Sequence, residues 1–152
     1  MPEGMRRLYE RACQQAQAVA DAGAKGHRPA ARQHPSEHEE AVALMARVRS
    51  LEGQWPELAL FHAIPNGGDR HKATAGKMRA EGQRAGVPDY FLPVPRGEHH
   101  GLYIELKSLT GYPSREQTQW ISRLREMGYR AEVVRGANAA WQLIAEYLGI
   151  GC

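Results

Sequence analysis

Residues 86–107, GVPDYFLPVPRGEHHGLYIELK, carry two short strand patterns on either side of a loop. In the second, apolar Leu102, Ile104 and Leu106 alternate with Tyr103, Glu105 and Lys107, and a strand sends successive side chains to opposite faces. Glu105 and Lys107 therefore share a face. Burying a carboxylate and an ammonium in an otherwise hydrophobic strand costs free energy, so the pair calls for a chemical role. Upstream, Pro88 confines Val87 to extended backbone and delivers Asp89 stiffly to the head of a strand predicted over Tyr90–Val94. Pro93 implies that this strand is an edge or ends early. In the loop from Pro95 to His100, the adjacent His99 and His100 point apart on extended chain and make no paired metal site.

On the C-terminal side, Ser114 and Gln117 match the S-x-x-Q capping box of a helix predicted from Ser114 to Met127, stopped by Gly128. Gln117, Trp120, Leu124 and Met127 fall on one face, so Gln117 can either cap the helix or turn toward the sheet and its carboxylates. A strand over Tyr129–Arg135 follows, then a last helix after Asn138 with Trp141, Ile144, Ala145 and Leu148 inward.

On the N-terminal side, Ser36 is a good N-cap for a helix to about Leu51, and Glu37, Glu39 and Glu40 suit the positive end of its dipole. Ala41, Leu44, Met45 and Val48 form its apolar stripe, and four back from Ala41 lies Glu37, aimed toward the core side. Taken from this helix alone, Glu37 reads as a solvated first-turn acid. Leu58 to Ile64 is apolar and short enough for a buried strand, ending at the turn Pro65-Asn66-Gly67-Gly68. His62 within it reads as a core histidine, outside any site. From Asp69 to Arg84, cations Arg70, Lys72, Lys77, Arg79 and Arg84 outnumber Asp69 and Glu81. A short helix frayed at Gly76 would present them either to phosphates or to water alone. The element order predicts an α/β fold, a central mixed sheet with helices on its faces.

The chain has 152 residues, enough for one domain with one core, and its 42% hydrophobic and 24% charged content suits a soluble α/β protein. No apolar run reaches membrane-span length and no secretory pattern opens the chain, so the expected location is cytoplasmic, with no membrane partner. Cys13 and Cys152 lack zinc-site spacing and support no disulfide framework. A formal charge of +3 hints at a polyanionic partner. Met1 to Ala24 reads as an amphipathic helix and Gly23 to Pro35 as a linker or arm, which divides the chain into residues 1–35 and a compact domain over 36–152.

Asp89, Glu105 and Lys107 together give P-D…E-x-K across neighbouring strands. Two carboxylates at a common strand end offer hard oxygen ligands to Mg²⁺ or Mn²⁺, an ion that keeps several waters and accepts a phosphate oxygen. Lys107 can hold an attacking water or offset charge growing on the phosphate; its plainer role is an ion pair with Glu105. An E-x-K on an apolar strand is weak by itself. A Pro-Asp heading the preceding strand and a Gln-bearing helix directly after make it specific.

The run GVPDYFLPV…GLYIELK…GYPSREQTQWISRLREMGY resembles the VRR-NUC domain of the PD-(D/E)xK nuclease superfamily, especially its small standalone forms in phages and bacteria. The resemblance implies a restriction-endonuclease-like core and a Mg²⁺- or Mn²⁺-dependent phosphodiesterase acting on DNA in a bacterial or phage-infected cell. Standalone members are associated with homodimers that cut branched DNA such as Holliday junctions. By position, Asp89 and Glu105 match the metal-binding acids, Lys107 the catalytic lysine and Gln117 the glutamine of the following helix. The Leu106 carbonyl matches a further ligand. The first-helix glutamate falls on Glu37, with Glu40 as a competitor. Two other readings are a flap or single-strand nuclease, which the same chemistry allows, and a non-catalytic DNA-binding module that kept the fold.

Overall fold

The computed structural model of the chain describes residues 34–65 and 72–150. The helix and arm expected over residues 1–35 lie almost wholly outside the described residues. Helix α1 (Glu37–Leu51) begins where the sequence predicts, because Ser36 and Glu39 close a reciprocal capping box. A 3-10 turn (Pro56–Leu60) leads to strand β1 (His62–Ala63), followed by α2 (Lys72–Ala80), β2 (Tyr90–Leu92) and β3 (Leu102–Lys107). Helix α3 (Arg115–Glu126), strand β4 (Arg130–Arg135) and helix α4 (Ala137–Leu148) complete the fold.

The strands lie in the order β1-β2-β3-β4, with β1 and β2 each antiparallel to the next and β4 parallel to β3. A parallel neighbour needs a crossover, and α3 supplies it. Leu102, Ile104 and Leu106 join the main core with Leu44, Val48 and Leu51 of α1 and Trp141, Ile144 and Leu148 of α4. Tyr103 faces the other way, into a smaller cluster with Ile121 and Leu124 of α3 and Ala131 of β4. The period of two in β3 thus sorts its residues between two helical layers, and the catalytic candidates Glu105 and Lys107 fall on the α3 side. No helix among the described residues is long and apolar enough to cross a membrane.

Several local expectations change or are resolved. The apolar run from Leu58 to Ile64 is not a buried strand: Pro56 seeds a 3-10 turn in which Leu58 and Phe61, three apart, are buried while Ala59 and Leu60 face solvent. Only His62 and Ala63 pair, and both are exposed, so His62 is no core histidine; its Nδ1 lies 2.8 Å from the Leu60 carbonyl. Strand β2 stops at Leu92 and sits between β1 and β3, so Pro93 marks an early end rather than an edge. Helix α2 runs unbroken through Gly76. The last helix starts at Ala137, with Gly136 at the cap position, and so takes in Asn138 rather than following it. Met127, placed on the inner face by periodicity, lies past the end of α3 and is exposed.

Gly86 sets how the Val87-Pro88-Asp89 segment meets α3. It has φ +85°, and a Cβ there would fall 2.7 Å from the Glu116 carbonyl carbon and 2.8 Å from the Glu116 Cβ. These atoms belong to the Glu116 backbone and its Cβ, so no flexible side-chain end can yield. Gly86→Ala is expected to cost about 2 kcal/mol or more, read as a lower urea midpoint.

Candidate active site

The site assembles at one end of β3. Asp89 stands immediately before β2, its carbonyl accepting the Ile64 N–H at 2.7 Å and its Oδ2 accepting the Leu106 N–H at 3.0 Å. In a strand the N–H and C=O of one residue point to the same side, so the Leu106 carbonyl also faces the Asp89 side. Glu105 is fully buried, with 0% of its surface exposed. Its Oε1 accepts from Lys107 Nζ at 2.8 Å and from Gln117 Nε2. Its Oε2 is buried and has no hydrogen-bond partner among the described residues.

Lys107 binds two acids at once. Besides Glu105, its Nζ reaches Glu37 Oε2 at 3.2 Å, which brings the first turn of α1 to the end of β3. Gln117 both caps and turns inward: its Oε1 accepts the Ser114 N–H at 2.7 Å while its Nε2 serves Glu105. One amide with a donor and an acceptor end can do both.

The electrostatics follow from this packing. Burial pushes the Glu105 carboxyl up to about 7, against the pull of Lys107 and with a further push from Asp89 and Glu37. Burial draws Lys107 down, but hydrogen bonds and charge from Glu105 and Glu37 outweigh it and hold the ammonium above its ordinary value. Tyr90, stacked on Phe61, is raised first by burial and then by Asp89 and Glu37. Both acids therefore act on one point at the head of β2.

Glu40, the rival first-helix acid, has a different partner. Its Oε2 accepts the Ala137 N–H at 2.7 Å, capping α4 from across the core. Gly136 N–H in turn donates to the Lys107 carbonyl at 2.9 Å. Glu40 thus fastens α1 to α4 one turn from Glu37, and Glu37 is the acid that meets Lys107. Losing such a cap costs about 1 kcal/mol. Glu40→Ala is expected to lower the denaturant midpoint accordingly, and Glu40→Gln, which keeps an acceptor oxygen, to lower it less.

Among the described residues, no three His, Cys, Asp or Glu side chains converge into a ready-made metal cage. The donor set nonetheless suits Mg²⁺ or Mn²⁺, which take one or two carboxylates and keep waters for the rest. An orphaned, fully buried carboxylate oxygen beside a second carboxylate is the specific feature that fits.

A family profile described as the VRR-NUC domain matches residues 36–138. The chain belongs to the VRR-NUC domain family. A solved structure described as a VRR_NUC domain protein matches with a TM-score of 0.64 at 27% identity, covering 78% of this chain and 93% of that one. No curated protein sequence matches the chain. A VRR-NUC domain has a nuclease-type, DNA-processing function, and the mixed sheet with its helices agrees with the α/β fold of that family.

Within this VRR-NUC domain, Asp89, Glu105, Leu106, Lys107, Gln117 and Glu37 come together as one cluster. The basic segment is separate. Lys77, Arg79 and Arg84 are exposed, and Lys77 lies 3.9 Å from Glu81. Arg70 lies outside the described residues, and of Lys72 only its place at the start of α2 is described. Arg84 borders an open cleft of about 390 Å³ whose walls include Ile64, Met78, Val87 and Trp120. The capping role of Glu40 is the contact that sequence reasoning missed; a third acid in a first turn carries no sign of a partner on a distant helix.

Proposed function

We propose that the protein is a Mg²⁺- or Mn²⁺-dependent, structure-selective DNA endonuclease, a homodimeric resolvase-like enzyme acting on branched DNA in a bacterial or phage-infected cell. The observation that carries this reading is Glu105: fully buried, held on one oxygen by Lys107 and Gln117, and left with the other oxygen unpartnered among the described residues. A buried acceptor without a donor is costly, and a bound cation would offset that cost.

Asp89, Glu105 and the Leu106 carbonyl would hold the ion, with Glu37 as the outer acid. Such an ion supplies Lewis acidity toward the scissile phosphate and a water of lowered pKa. The chain's own residues do the rest. Gln117 fixes the rotation of the Glu105 carboxylate. Lys107, kept charged by two acids, presents a proton-bearing cation where a phosphate oxygen or an attacking water arrives. Glu37 orients Lys107 from α1, and the exposed Lys77, Arg79 and Arg84, with Arg70 and Lys72 of the same segment, would contact the DNA backbone without reading sequence. Symmetric incision of a four-way junction needs two such sites, which is the reason for a dimer.

The test is cleavage of four-way junction, flap and linear duplex with and without Mg²⁺, alongside the oligomeric state on DNA. Metal-dependent paired incision of the junction supports the reading. Preferential cutting of the flap by a monomer would replace it with the flap-nuclease reading, and no cutting under any condition would leave a DNA-binding module.

A further inference from the structure

Tyr112 is the most exposed large apolar side chain among the described residues, at 81% of its surface. A side chain so exposed contributes little to the core. It sits in the loop that joins the Lys107 strand to the Gln117 helix, and that loop is built to hold still. Gly111 N–H closes a turn onto the Ser108 carbonyl at 3.0 Å, and Arg135 Nε donates to the Gly111 carbonyl at 3.0 Å. The Arg135 guanidinium carbon then lies 4.9 Å from the centre of the Tyr112 ring.

The position of Arg135 ties this ring to the site. Arg135 is the register partner of Lys107 across the parallel β3–β4 pair, and register partners on adjacent strands project to one face. Tyr112 is thus held on the face that carries Glu105 and Lys107, exposed at the rim of the site. Leu109, on the same loop and 46% exposed, adds an apolar shoulder that rests toward Gly136.

We propose that Tyr112, backed by Arg135, is a stacking platform for an unpaired nucleobase of the DNA strand entering the active site. This rests on the DNA-nuclease reading of the adjacent cluster and names what selects its substrate. An aromatic ring with a guanidinium on one face and solvent on the other is completed by a flat π-system, and every base supplies one. Within a duplex both faces of each base are already stacked. Free faces occur where strands branch, fray or run single, so a platform beside the reacting phosphate favours those structures over continuous duplex. Arg135 gives the ring its rigidity and supplies a cation for the neighbouring phosphate.

The experiment uses the full chain in EDTA, so that binding is read without cleavage. The probes are a gapped DNA with 2-aminopurine at an unpaired position and a matched continuous duplex. Wild type and Tyr112→Phe are expected to quench the probe on binding. Tyr112→Ala should lose the quench, and its affinity for the gapped DNA should fall about tenfold further than its affinity for the duplex. An unchanged quench in Tyr112→Ala, or an equal fall on both DNAs, overturns the platform. Cleavage with Mg²⁺ separates the two readings. A wild type that quenches but never cuts overturns the nuclease and leaves the platform; one that cuts while Tyr112→Ala still quenches overturns the platform alone.

Discussion

Lys107→Ala is expected to slow metal-dependent DNA cleavage at least about a hundredfold, the scale on which positioned charges and proton donors act in active sites, while DNA binding in EDTA falls far less. The reason is where the ammonium sits. It is 2.8 Å from Glu105 and 3.2 Å from Glu37, deep at the strand end rather than on the exposed basic segment that would bind backbone. Removing one partner of a buried ion pair usually destabilises strongly, because a charge is left alone. Here the carboxyl already stands at about 7 with Lys107 in place. Without it the value rises further, so at neutral pH Glu105 takes a proton and much of the penalty is avoided. The variant should therefore fold, lose more stability at pH 8 than at pH 6, and separate binding from cutting. Wild-type cutting rates in Lys107→Ala would remove the lysine from the mechanism.

Glu105→Gln is expected to have the second large effect, one that reverses with pH. In the folded chain the Glu105 carboxyl is raised from 4.5 to about 7, by burial above all. The native state then binds the proton more tightly than the unfolded state, so the contribution to stability is fully present below about pH 4.5 and is lost as pH rises through about 7. The metal-free wild type should lose on the order of 3 kcal/mol from this group by pH 8, an upper figure at about 1.4 kcal/mol per pKa unit. Glutamine cannot ionise, and Lys107 keeps Glu37 as a partner. Glu105→Gln should thus match wild type near pH 5 and be the more stable protein at pH 8 without metal. Adding Mn²⁺ should reverse that order, raising the melting temperature of wild type at pH 8 and leaving the variant where it was, because the ion binds the ionised carboxylate. Thermal melts at both pH values, with and without Mn²⁺, check each part. No metal-induced shift in wild type would remove the ion from the site.

Much of the fold was legible because the elements carry their own boundary signals. Ser36 with Glu39 and Ser114 with Gln117 are local capping chemistry, complete within four residues. The alternation from Leu102 to Lys107 announced both the strand and the shared face of its two charges. The run from Leu58 to Ile64 was not legible in the same way. Its apolar residues fit a strand or a turn equally well, and only the packing of Leu58 and Phe61 against the main core decided in favour of the 3-10 turn.

The candidate site divides along the same line. The residue types, their spacing and the direction of Glu105 and Lys107 on one strand follow from the amino-acid sequence, since strand geometry is local. So does the stiff delivery of Asp89 by Pro88. What the chain order left open was which first-turn acid of α1 meets Lys107 and whether Gln117 caps its helix or faces the sheet. The tertiary structure decided both. Glu40 is taken by the N-terminus of α4, which leaves Glu37 to Lys107, and the short reach from Ser114 to β3 lets Gln117 do both jobs. These choices depend on how α1, α4 and α3 dock on the sheet, a matter of long-range packing to which no local pattern gives access.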